Sequence, residues 1–278
     1  FNQYKSLFNK VKYKRYINFN KKIINRIRNR KQKHPIVSII TVVKNDPYYL
    51  EKTIKSVINQ TYNNIEYIII DGKSKKKTTS IIKKYKKKIS IILSENDKGI
   101  YDAMNKGIVL ASGEIISIIN SGDLFFKNAV KNAVKNLKKV DYLFGPVKKT
   151  GDRTYFNYKP NKINHKFNIF PSHSVSFFVK RRIHEELGLY NISFKLSADY
   201  DFIFKLIKNR KKFIILKKKD LFGKCQEYNF SRKFSTFDHL NEELNIRLNN
   251  NQNIFYVFLL YLTKLLYFYG IYLKRFFF

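Results

Sequence analysis

Acidic side chains stand directly after two predicted strands, where they could hold a charged ligand. Asp123 follows the apolar run 114–119 and a polar turn, and Asp71 follows the apolar run 65–70. In open α/β sheets, ligands bind beyond the carboxyl ends of the strands. We therefore expect Asp123 to lie where a metal ion and its phosphates would bind, and Asp71 to accept hydrogen bonds from a base or a ribose.

A second pair of acids, Asp199 and Asp201, precedes the apolar residues Phe202, Phe204 and Leu206. The spacing predicts a helix with both carboxylates near its amino end. This position has a purely structural interpretation, because a helix dipole stabilises negative charge there. A catalytic role for one of the two acids is the competing interpretation.

Four apolar runs predict the strands that would position these acids, at residues 36–43, 65–70, 89–93 and 114–119. The fourth run is almost continuously apolar, as in a parallel strand that is covered on both faces. Helical spacing at residues 49–58 and 81–85 separates the first three runs. This alternation predicts an α/β fold with a mainly parallel sheet flanked by helices. Further elements are predicted at 125–137 (helix), 142–147 (strand), 181–187 (helix), 213–216 (strand) and 237–247 (helix).

The segment 94–113 leads from the third of these strands to the fourth through a short helix. Ile100, Met104 and Ile108 are four residues apart and form one apolar stripe. Gly107 is expected to interrupt this helix. Its opposite, polar face is predicted to carry Asp102, Asn105 and Lys106.

Residues 97–123, DKGIYDAMNKGIVLASGEIISIINSGD, resemble the central motif of family 2 glycosyltransferases. The likeness is greatest to the bacterial enzymes that build exopolysaccharide and lipopolysaccharide. In that family the strand ends in a short acidic motif, usually Asp-x-Asp, that binds the metal of a nucleotide-sugar. Asp123 keeps the last acid, and Ser121 stands where the first would be. The resemblance covers about residues 36–206, and Asp71-Gly72 is another of its specific blocks.

The resemblance implies a GT-A-like α/β fold and a donor site. Thr41 and Val43 would lie beside the base, and Asn45 would brace the first loop. Asp123 would bind a divalent metal, Mn²⁺ or Mg²⁺, with His173 near the donor or the metal. The other residues implied at the donor are Asp71, Lys98, Asp102, Asn105 and Ser121.

The resemblance also implies a reaction. Most family members carry Glu-Asp at the position of Ala198-Asp199, so Asp199 would be the general base, with Asp201 supporting its orientation. A sugar would pass with inversion from a nucleotide-sugar, UDP-linked in preference to GDP-linked, to a hydroxyl of a glycan, preferably a lipid-linked one. Ser121, Lys76 and Ala198 depart from the family pattern, so a catalytically inactive domain is the alternative.

The formal charge is extreme, +36 from 56 Lys and Arg against 20 Asp and Glu in 278 residues. Such a field favours anionic partners such as membrane surfaces, nucleic acid or polyphosphates. Compositional drift is the competing interpretation, because the chain is rich in Lys, Asn, Ile, Phe and Tyr and has no Trp. No recognisable nucleic-acid-binding module accompanies the charge, so we do not expect a nucleic-acid partner. Binding to an anionic surface without catalysis remains a second alternative function.

Three regions are expected: a basic amino-terminal segment at 1–34, a GT-A domain at 35–225, and a helical carboxyl-terminal segment at 226–278. We expect the basic run at 10–33 to be a solvated helix or tail, and binding to an acidic surface is the alternative. Cys225 is the only cysteine, which excludes an intrachain disulfide and is compatible with a reducing cytosol. We expect the protein at the inner face of the cytoplasmic membrane.

The carboxyl-terminal segment predicts this membrane contact. Residues 254–273 are almost wholly apolar, with Lys264 in the middle. A lysine at the centre of a spanning helix costs roughly 2.5–3.5 kcal/mol, and tyrosines suit an interface. We expect a helix on the membrane surface, flanked by Lys274 and Arg275. A spanning helix and a helix docked on the domain are the alternatives.

Overall fold

The computed structural model describes residues 17–20, 22–23, 25, 34–149, 154–155, 174–217, 219–225 and 235–277. The strands within these residues are β1 (Ile17–Phe19), β2 (Val37–Val43), β3 (Ile65–Asp71), β4 (Ile91–Ser94), β5 (Ile115–Ile118), β6 (Leu124–Phe125), β7 (Tyr142–Phe144), β8 (Val147–Lys148), β9 (Thr154–Tyr155), β10 (Phe177–Lys180), β11 (Phe213–Ile215) and β12 (Gly223–Lys224). The helices are α1 (Leu50–Ile58), α2 (Lys76–Tyr85), α3 (Ile100–Leu110), α4 (Ala129–Asn136), α5 (Arg181–Leu187), α6 (Ala198–Lys208), α7 (Thr236–Asn249) and α8 (Ile254–Phe277).

The main sheet has the order β1-β4-β3-β2-β5-β10-β7-β11. Its centre, β4-β3-β2-β5, is parallel throughout, and β10 runs antiparallel to both of its neighbours. Every residue of β2 is buried, which explains why its sequence VSIITVV shows no alternation of apolar and polar residues. The predicted α/β fold with a mainly parallel sheet is confirmed.

Helices cover both faces of the sheet. One face packs against α3, α5 and α6, and the other against α1, α2 and α4. A small second sheet, β6-β12-β8-β9, adjoins the second of these faces. The two layers place the carboxyl ends of the parallel strands along one edge, where the loops after β2, β3, β4 and β5 meet.

The predicted strands 36–43, 65–70, 89–93 and 114–119 are confirmed as β2 to β5, with bounds that shift by one or two residues. The predicted helix 181–187 is also confirmed, and Gly188 ends it in the left-handed region at φ 90°. The predicted helix 125–137 is too long, because its first residue belongs to β6 and α4 begins only at Ala129. The predicted strand 142–147 is divided between β7 and β8, since Gly145-Pro146 separate them.

The prediction that Gly107 interrupts its helix is wrong, because α3 continues through it to Leu110. A Cβ atom at this position would lie 2.4 Å from the Ile40 side chain. Glycine is therefore used here for close approach of the helix to β2 rather than for a break. The predicted polar face of α3 is buried as well, since Asp102, Asn105 and Lys106 are each less than a tenth exposed.

The solvated amino-terminal segment is contradicted at residues 17–19. These residues form β1, which pairs antiparallel with Ile91 to Leu93 at the edge of the sheet. An unpaired edge exposes backbone donors and acceptors, and β1 satisfies those of β4. The basic composition around it gave no sign of this short strand.

The carboxyl-terminal helix α8 packs on α7, and α7 packs on α6. Arg247 of α7 is buried and donates to the Tyr200 hydroxyl at 2.9 Å and to Glu243 at 2.9 Å. Lys264 of α8 is also buried and forms an ion pair with Glu243. Lys264 therefore faces the protein and not the exposed side of α8. Its charge would not enter the apolar part of a bilayer. None of the helices in the described part of the chain is both long and apolar enough to cross a bilayer.

A buried histidine in α5 gives the protein a testable response to acid. His184 stacks on Phe202 of α6 at 4.4 Å and lies 3.3 Å from the Gly188 carbonyl oxygen. Burial lowers the pKa of His184 to about 4, and the hydrogen bond to Gly188 opposes this only partly. The unfolded chain therefore binds a proton between pH 6.5 and about 4 that the folded chain excludes. His184 therefore lowers the free energy of unfolding hardly at all above pH 6.5. The free energy of unfolding decreases as the pH falls from 6.5 toward 4.

We predict that His184 costs about 2 to 3 kcal/mol of unfolding free energy when the pH falls from 7.5 to 4.5. Urea unfolding at both pH values measures this loss. A His184→Phe variant keeps the stacking and should lose less stability over the same interval. His239→Gln, at a half-buried position of α7, is the matched control and should behave like the parent protein. Equal losses in the parent and His184→Phe would contradict the assignment.

Candidate active site

The turn after β5 holds Asp123 in a fixed position. Gly122 has φ 102°, a left-handed conformation that favours glycine. The Thr53 hydroxyl of α1 accepts from the Gly122 N–H at 2.9 Å and donates to the Asp123 carbonyl at 2.9 Å. Asp123 itself is almost fully buried. One threonine therefore fixes the backbone on both sides of the peptide that presents this carboxylate.

The loops after β2, β3 and β5 are joined by side chains. The Ser121 hydroxyl donates to the Asp46 carboxylate at 2.7 Å. Asn45, with φ 54°, donates its N–H to the Ser74 hydroxyl and accepts from the Lys75 N–H, both at 2.8 Å. The structure thus shows the bracing that was expected of Asn45, while donor binding by Asn45 and Ser121 stays a prediction.

Asp71, at the end of β3, is buried and uses both carboxylate oxygens. Oδ1 accepts from the Ser74 N–H at 3.1 Å, and Oδ2 accepts from the Ser94 hydroxyl at 2.6 Å. These bonds connect the loop after β3 to the end of β4. A carboxylate oxygen can accept more than one hydrogen bond. The expected bond from a base or ribose therefore remains compatible with this arrangement and stays a prediction.

The start of α3 is organised around buried charges. Asp102 accepts from the Lys98 N–H at 3.0 Å and lies 3.2 Å from Lys106 Nζ, which is also 2.9 Å from Glu95. Burial alone would lower the pKa of Lys106, but Glu95 and Asp102 outweigh it and hold this pKa above its usual value. Lys106 therefore stays charged and fixes the loop from β4 to α3, to which Lys98 belongs.

Two of the residues predicted at the donor have internal partners. The Asn105 amide donates to the Tyr190 carbonyl at 2.8 Å and accepts from the Tyr190 N–H at 3.0 Å. The Thr41 hydroxyl lies 3.1 Å from the Tyr67 hydroxyl in the interior. Val43, the last residue of β2, is buried as well. The structure gives Asn105 a positioning task, the attachment of residue 190 to α3.

Asp199, in the first turn of α6, is attached to α3 through Tyr101. The Tyr101 hydroxyl lies 2.9 Å from Asp199 Oδ1 and 2.9 Å from the Leu196 carbonyl, and the Tyr200 N–H donates to the same Oδ1 at 2.9 Å. Burial and the nearby charge of Asp199 raise the pKa of Tyr101 well above its usual value. Tyr101 therefore keeps its proton and orients the carboxylate.

The prediction that Asp201 supports the orientation of Asp199 is wrong. Asp201 accepts from the Asn250 amide at 2.8 Å and pairs with Lys205 at 2.8 Å. A helix turns by about 100° per residue, so carboxylates two residues apart point to opposite sides. Asp201 therefore connects α6 to the end of α7.

Tyr101 and Glu242 act at this site without having been identified from the sequence. The Glu242 carboxylate of α7 accepts from the N–H groups of Lys195 and Leu196, at 2.8 Å in the second case. These bonds hold the loop that leads into Asp199. Tyr101 could have been identified from the sequence, because it lies within the motif at 97–123. Glu242 could not, because its contact joins segments that are distant in the sequence.

The residues that could hold a cation are oxygen donors. Asp123 supplies a carboxylate, and the linked pair of Ser121 and Asp46 lies in the same set of loops. Mg²⁺ is commonly bound by one or two carboxylates plus substrate phosphates, so this donor set fits a cation that arrives with a diphosphate. Three or more His, Cys, Asp or Glu side chains do not cluster anywhere in the described residues. His173, the other predicted ligand, lies outside those residues.

Cys225 lies near this carboxylate but has an inert thiol. Burial, together with the charge of Asp123, raises the pKa of the Cys225 thiol to about 11. A thiol with so high a pKa is protonated at neutral pH and is a poor nucleophile and a poor metal ligand. Its contribution is to the apolar packing beneath β12.

Residues 38–198 match the model of glycosyl transferase family 2. An uncharacterized glycosyltransferase of Rickettsia typhi is 30% identical over 191 residues, which cover 63% of this chain and 59% of that protein. An uncharacterized glycosyltransferase of Mycobacterium tuberculosis is 34% identical over 181 residues, which cover 62% of this chain and 68% of the relative. The chain thus spans about three fifths of the first of these curated relatives.

Solved structures share the fold at low sequence identity. The 1–349 segment of S. aureus TarS in complex with UDP-GlcNAc superimposes with a TM-score of 0.61 at 18% identity, over 80% of this chain and 69% of that one. The mannosyltransferase PcManGT from Pyrobaculum calidifontis, in complex with GDP-Man and Mn²⁺, gives a TM-score of 0.60 at 16% identity, over 83% of this chain and 72% of that one. The GT-A-like architecture is thereby confirmed.

Proposed function

The chain belongs to glycosyl transferase family 2, and from this premise we propose that it transfers a sugar from a nucleotide-sugar to an acceptor hydroxyl with inversion at the anomeric carbon. The observation that carries the proposal is the arrangement of three acids at one edge. Asp71 ends β3 and Asp123 follows β5, the two strands that flank β2 in the parallel sheet, and Tyr101 attaches Asp199 to the helix that follows β4. In this proposal the donor binds beyond the carboxyl ends of the strands, and Tyr101 holds the base at the amino end of α3.

The proposed chemistry needs only one proton acceptor from the protein. The acceptor oxygen forms a bond to the anomeric carbon while the bond from that carbon to the diphosphate oxygen breaks. The acceptor's proton passes to the Asp199 carboxylate, and the electron pair of the broken bond leaves with the nucleoside diphosphate. A divalent cation bound at Asp123 would neutralise charge on the departing diphosphate.

The donor in this proposal is a UDP-sugar. The relative with UDP-GlcNAc and the relative with GDP-Man and Mn²⁺ share this fold, so both nucleotide classes are candidates for the test. The acceptor is a lipid-linked glycan of a cell-surface polysaccharide, met at the inner face of the cytoplasmic membrane. An apolar face on α8, described below, supports an acceptor at a membrane.

Isothermal titration against UDP, GDP and their sugar conjugates, with and without Mn²⁺, tests the donor site. We expect one nucleotide class to bind in a Mn²⁺-dependent manner. ATP is the necessary control, because a chain with a formal charge of +36 attracts any polyphosphate. Binding of UDP and ATP with equal affinity and equal salt dependence would show attraction by charge alone.

The second candidate function is a catalytically inactive domain. The chain departs from the family pattern at three positions, Ser121, Lys76 and Ala198. Ala198 is fully buried at the start of α6, where the family pattern has a glutamate. Failure of every nucleotide to bind would favour that candidate over the transferase.

A further inference from the structure

The carboxyl-terminal helix α8 presents two different faces. Val257 and Lys264 are buried toward α7, where Lys264 meets Glu243 and Tyr261 donates to Asn241 at 2.9 Å. The other face is exposed and consists of large apolar and aromatic side chains. Its exposed members up to residue 269 are Ile254, Phe255, Phe258, Leu259, Leu262, Leu265, Leu266 and Tyr269.

This exposed face, which we call the α8 apolar face, is continuous along the helix. Phe255, Leu259, Leu262, Leu266 and Tyr269 follow one another at intervals of three or four residues, so they form one stripe. The exposed fraction is 83% at Phe255 and 69% at Leu266. Lys264, the only charged residue in 254–273, is turned away from this stripe. An exposed apolar patch without charge marks an interaction site.

We propose that the α8 apolar face binds the surface of an anionic lipid bilayer, with α8 lying in the plane of the headgroups. Leucine and phenylalanine would enter the boundary of the acyl chains, and the tyrosines suit the interface itself. The buried side of α8 remains on α7 through Lys264 and Glu243, so only one side of the helix meets lipid.

Charge decides which occupant fits this face. A formal charge of +36 attracts an anionic membrane, and the sequence adds Lys274 and Arg275 directly after the apolar run. Two copies of this chain would instead bring like charges together, which opposes association of one apolar face with another. The net positive charge therefore favours an anionic lipid surface over a second copy of the chain as the partner of the α8 apolar face.

Sedimentation of the full chain with vesicles tests the proposal. Vesicles of phosphatidylcholine with phosphatidylglycerol should bind the protein, and vesicles of phosphatidylcholine alone should bind it more weakly. Leu259→Glu combined with Leu266→Glu should lower partitioning roughly tenfold or more, since both apolar contacts are lost and two negative charges are added. Ile192→Glu, which changes an exposed apolar residue elsewhere, is the matched control and should stay within about twofold of the parent chain.

A second measurement uses the absence of tryptophan from the sequence. Phe258→Trp introduces a single fluorophore on the α8 apolar face, and its emission should shift to the blue when anionic vesicles are added. Ile192→Trp should show no such shift. Neither assay requires a donor or an acceptor, so its outcome is independent of the proposed transfer.

Three results would overturn the proposal. The first is equal partitioning of the parent chain and the double glutamate variant. The second is no binding to either kind of vesicle. The third is self-association of the parent chain in the absence of lipid that the double variant abolishes, which would assign the face to a second copy.

Discussion

An Asp199→Asn variant should bind the nucleotide-sugar with unchanged affinity and turn over about 10²–10⁴-fold more slowly. Asparagine has the shape of aspartate, and its amide oxygen can accept the hydrogen bonds that Tyr101 and the Tyr200 N–H now give to Oδ1. The amide cannot take up the proton that the acceptor hydroxyl must lose. Titration with the donor and turnover under saturating substrates measure the two effects separately.

Asp201→Asn is the matched control for this experiment. It makes the same chemical change two residues further along the same helix, where the carboxylate contacts Asn250 and Lys205. Turnover should stay close to that of the parent enzyme, although some stability is lost with the ion pair. A large loss of turnover in Asp201→Asn, or normal turnover in Asp199→Asn, would remove Asp199 as the base.

Tyr101 holds the proposed base, Asp199, in a fixed position. Its hydroxyl connects the amino end of α3 to the first turn of α6, and Glu242 of α7 accepts hydrogen bonds from the N–H groups of residues 195 and 196 in the loop before α6. The carboxylate is half-buried rather than enclosed. A base held by tertiary contacts on two sides needs little rearrangement when the acceptor arrives.

The sequence predicted the parallel centre of the sheet because burial leaves a direct signature there. A strand covered on both faces must be apolar at nearly every position, and the runs at β2, β3 and β5 are. The helix at 181–187 was equally predictable, since Gly188 allows the left-handed turn that ends it. Such signals are local, and they report only whether a side chain is covered.

Contacts between distant segments left no comparable signature. The sequence predicted that the polar residues of α3 share one face of the helix, but it did not predict that Tyr190 and Glu95 would hold Asn105 and Lys106 in the interior. Lys264 interrupts an apolar run, and nothing in the sequence indicated that it would pair with Glu243, a residue 21 positions away. In both cases the partner, not the pattern, decides where the polar side chain points.

The turn that presents Asp123 depends both on a local sequence pattern and on a contact between distant segments. The acid after a buried strand was predictable from the order of residues. The role of Thr53 was not, because it depends on α1 lying beside the turn at a sequence distance of about seventy residues. In the proposed function, Asp123 is the carboxylate that meets a diphosphate with its cation.

An Asp123→Ala variant should lose the Mn²⁺-dependent part of nucleotide binding, and its transfer rate should fall by about 10²–10³-fold or to background. The carboxylate would be a ligand of the cation that alanine cannot replace, and without that cation the negative charge on the departing diphosphate would be less well neutralised. The backbone bonds from Thr53 to residues 122 and 123 do not involve this side chain and should survive the change. Titration of UDP with and without Mn²⁺ measures the first effect.

Ser121→Ala is the informative companion to Asp123→Ala. It removes only the hydroxyl that donates to Asp46, so it should loosen the turn while leaving Mn²⁺-dependent binding detectable. Loss of metal dependence in Asp123→Ala alone would assign the cation to this carboxylate. Retention of Mn²⁺-dependent binding and transfer in Asp123→Ala would show that the cation is held elsewhere, and residues outside the described part of the chain, His173 among them, would then be the ligands to test.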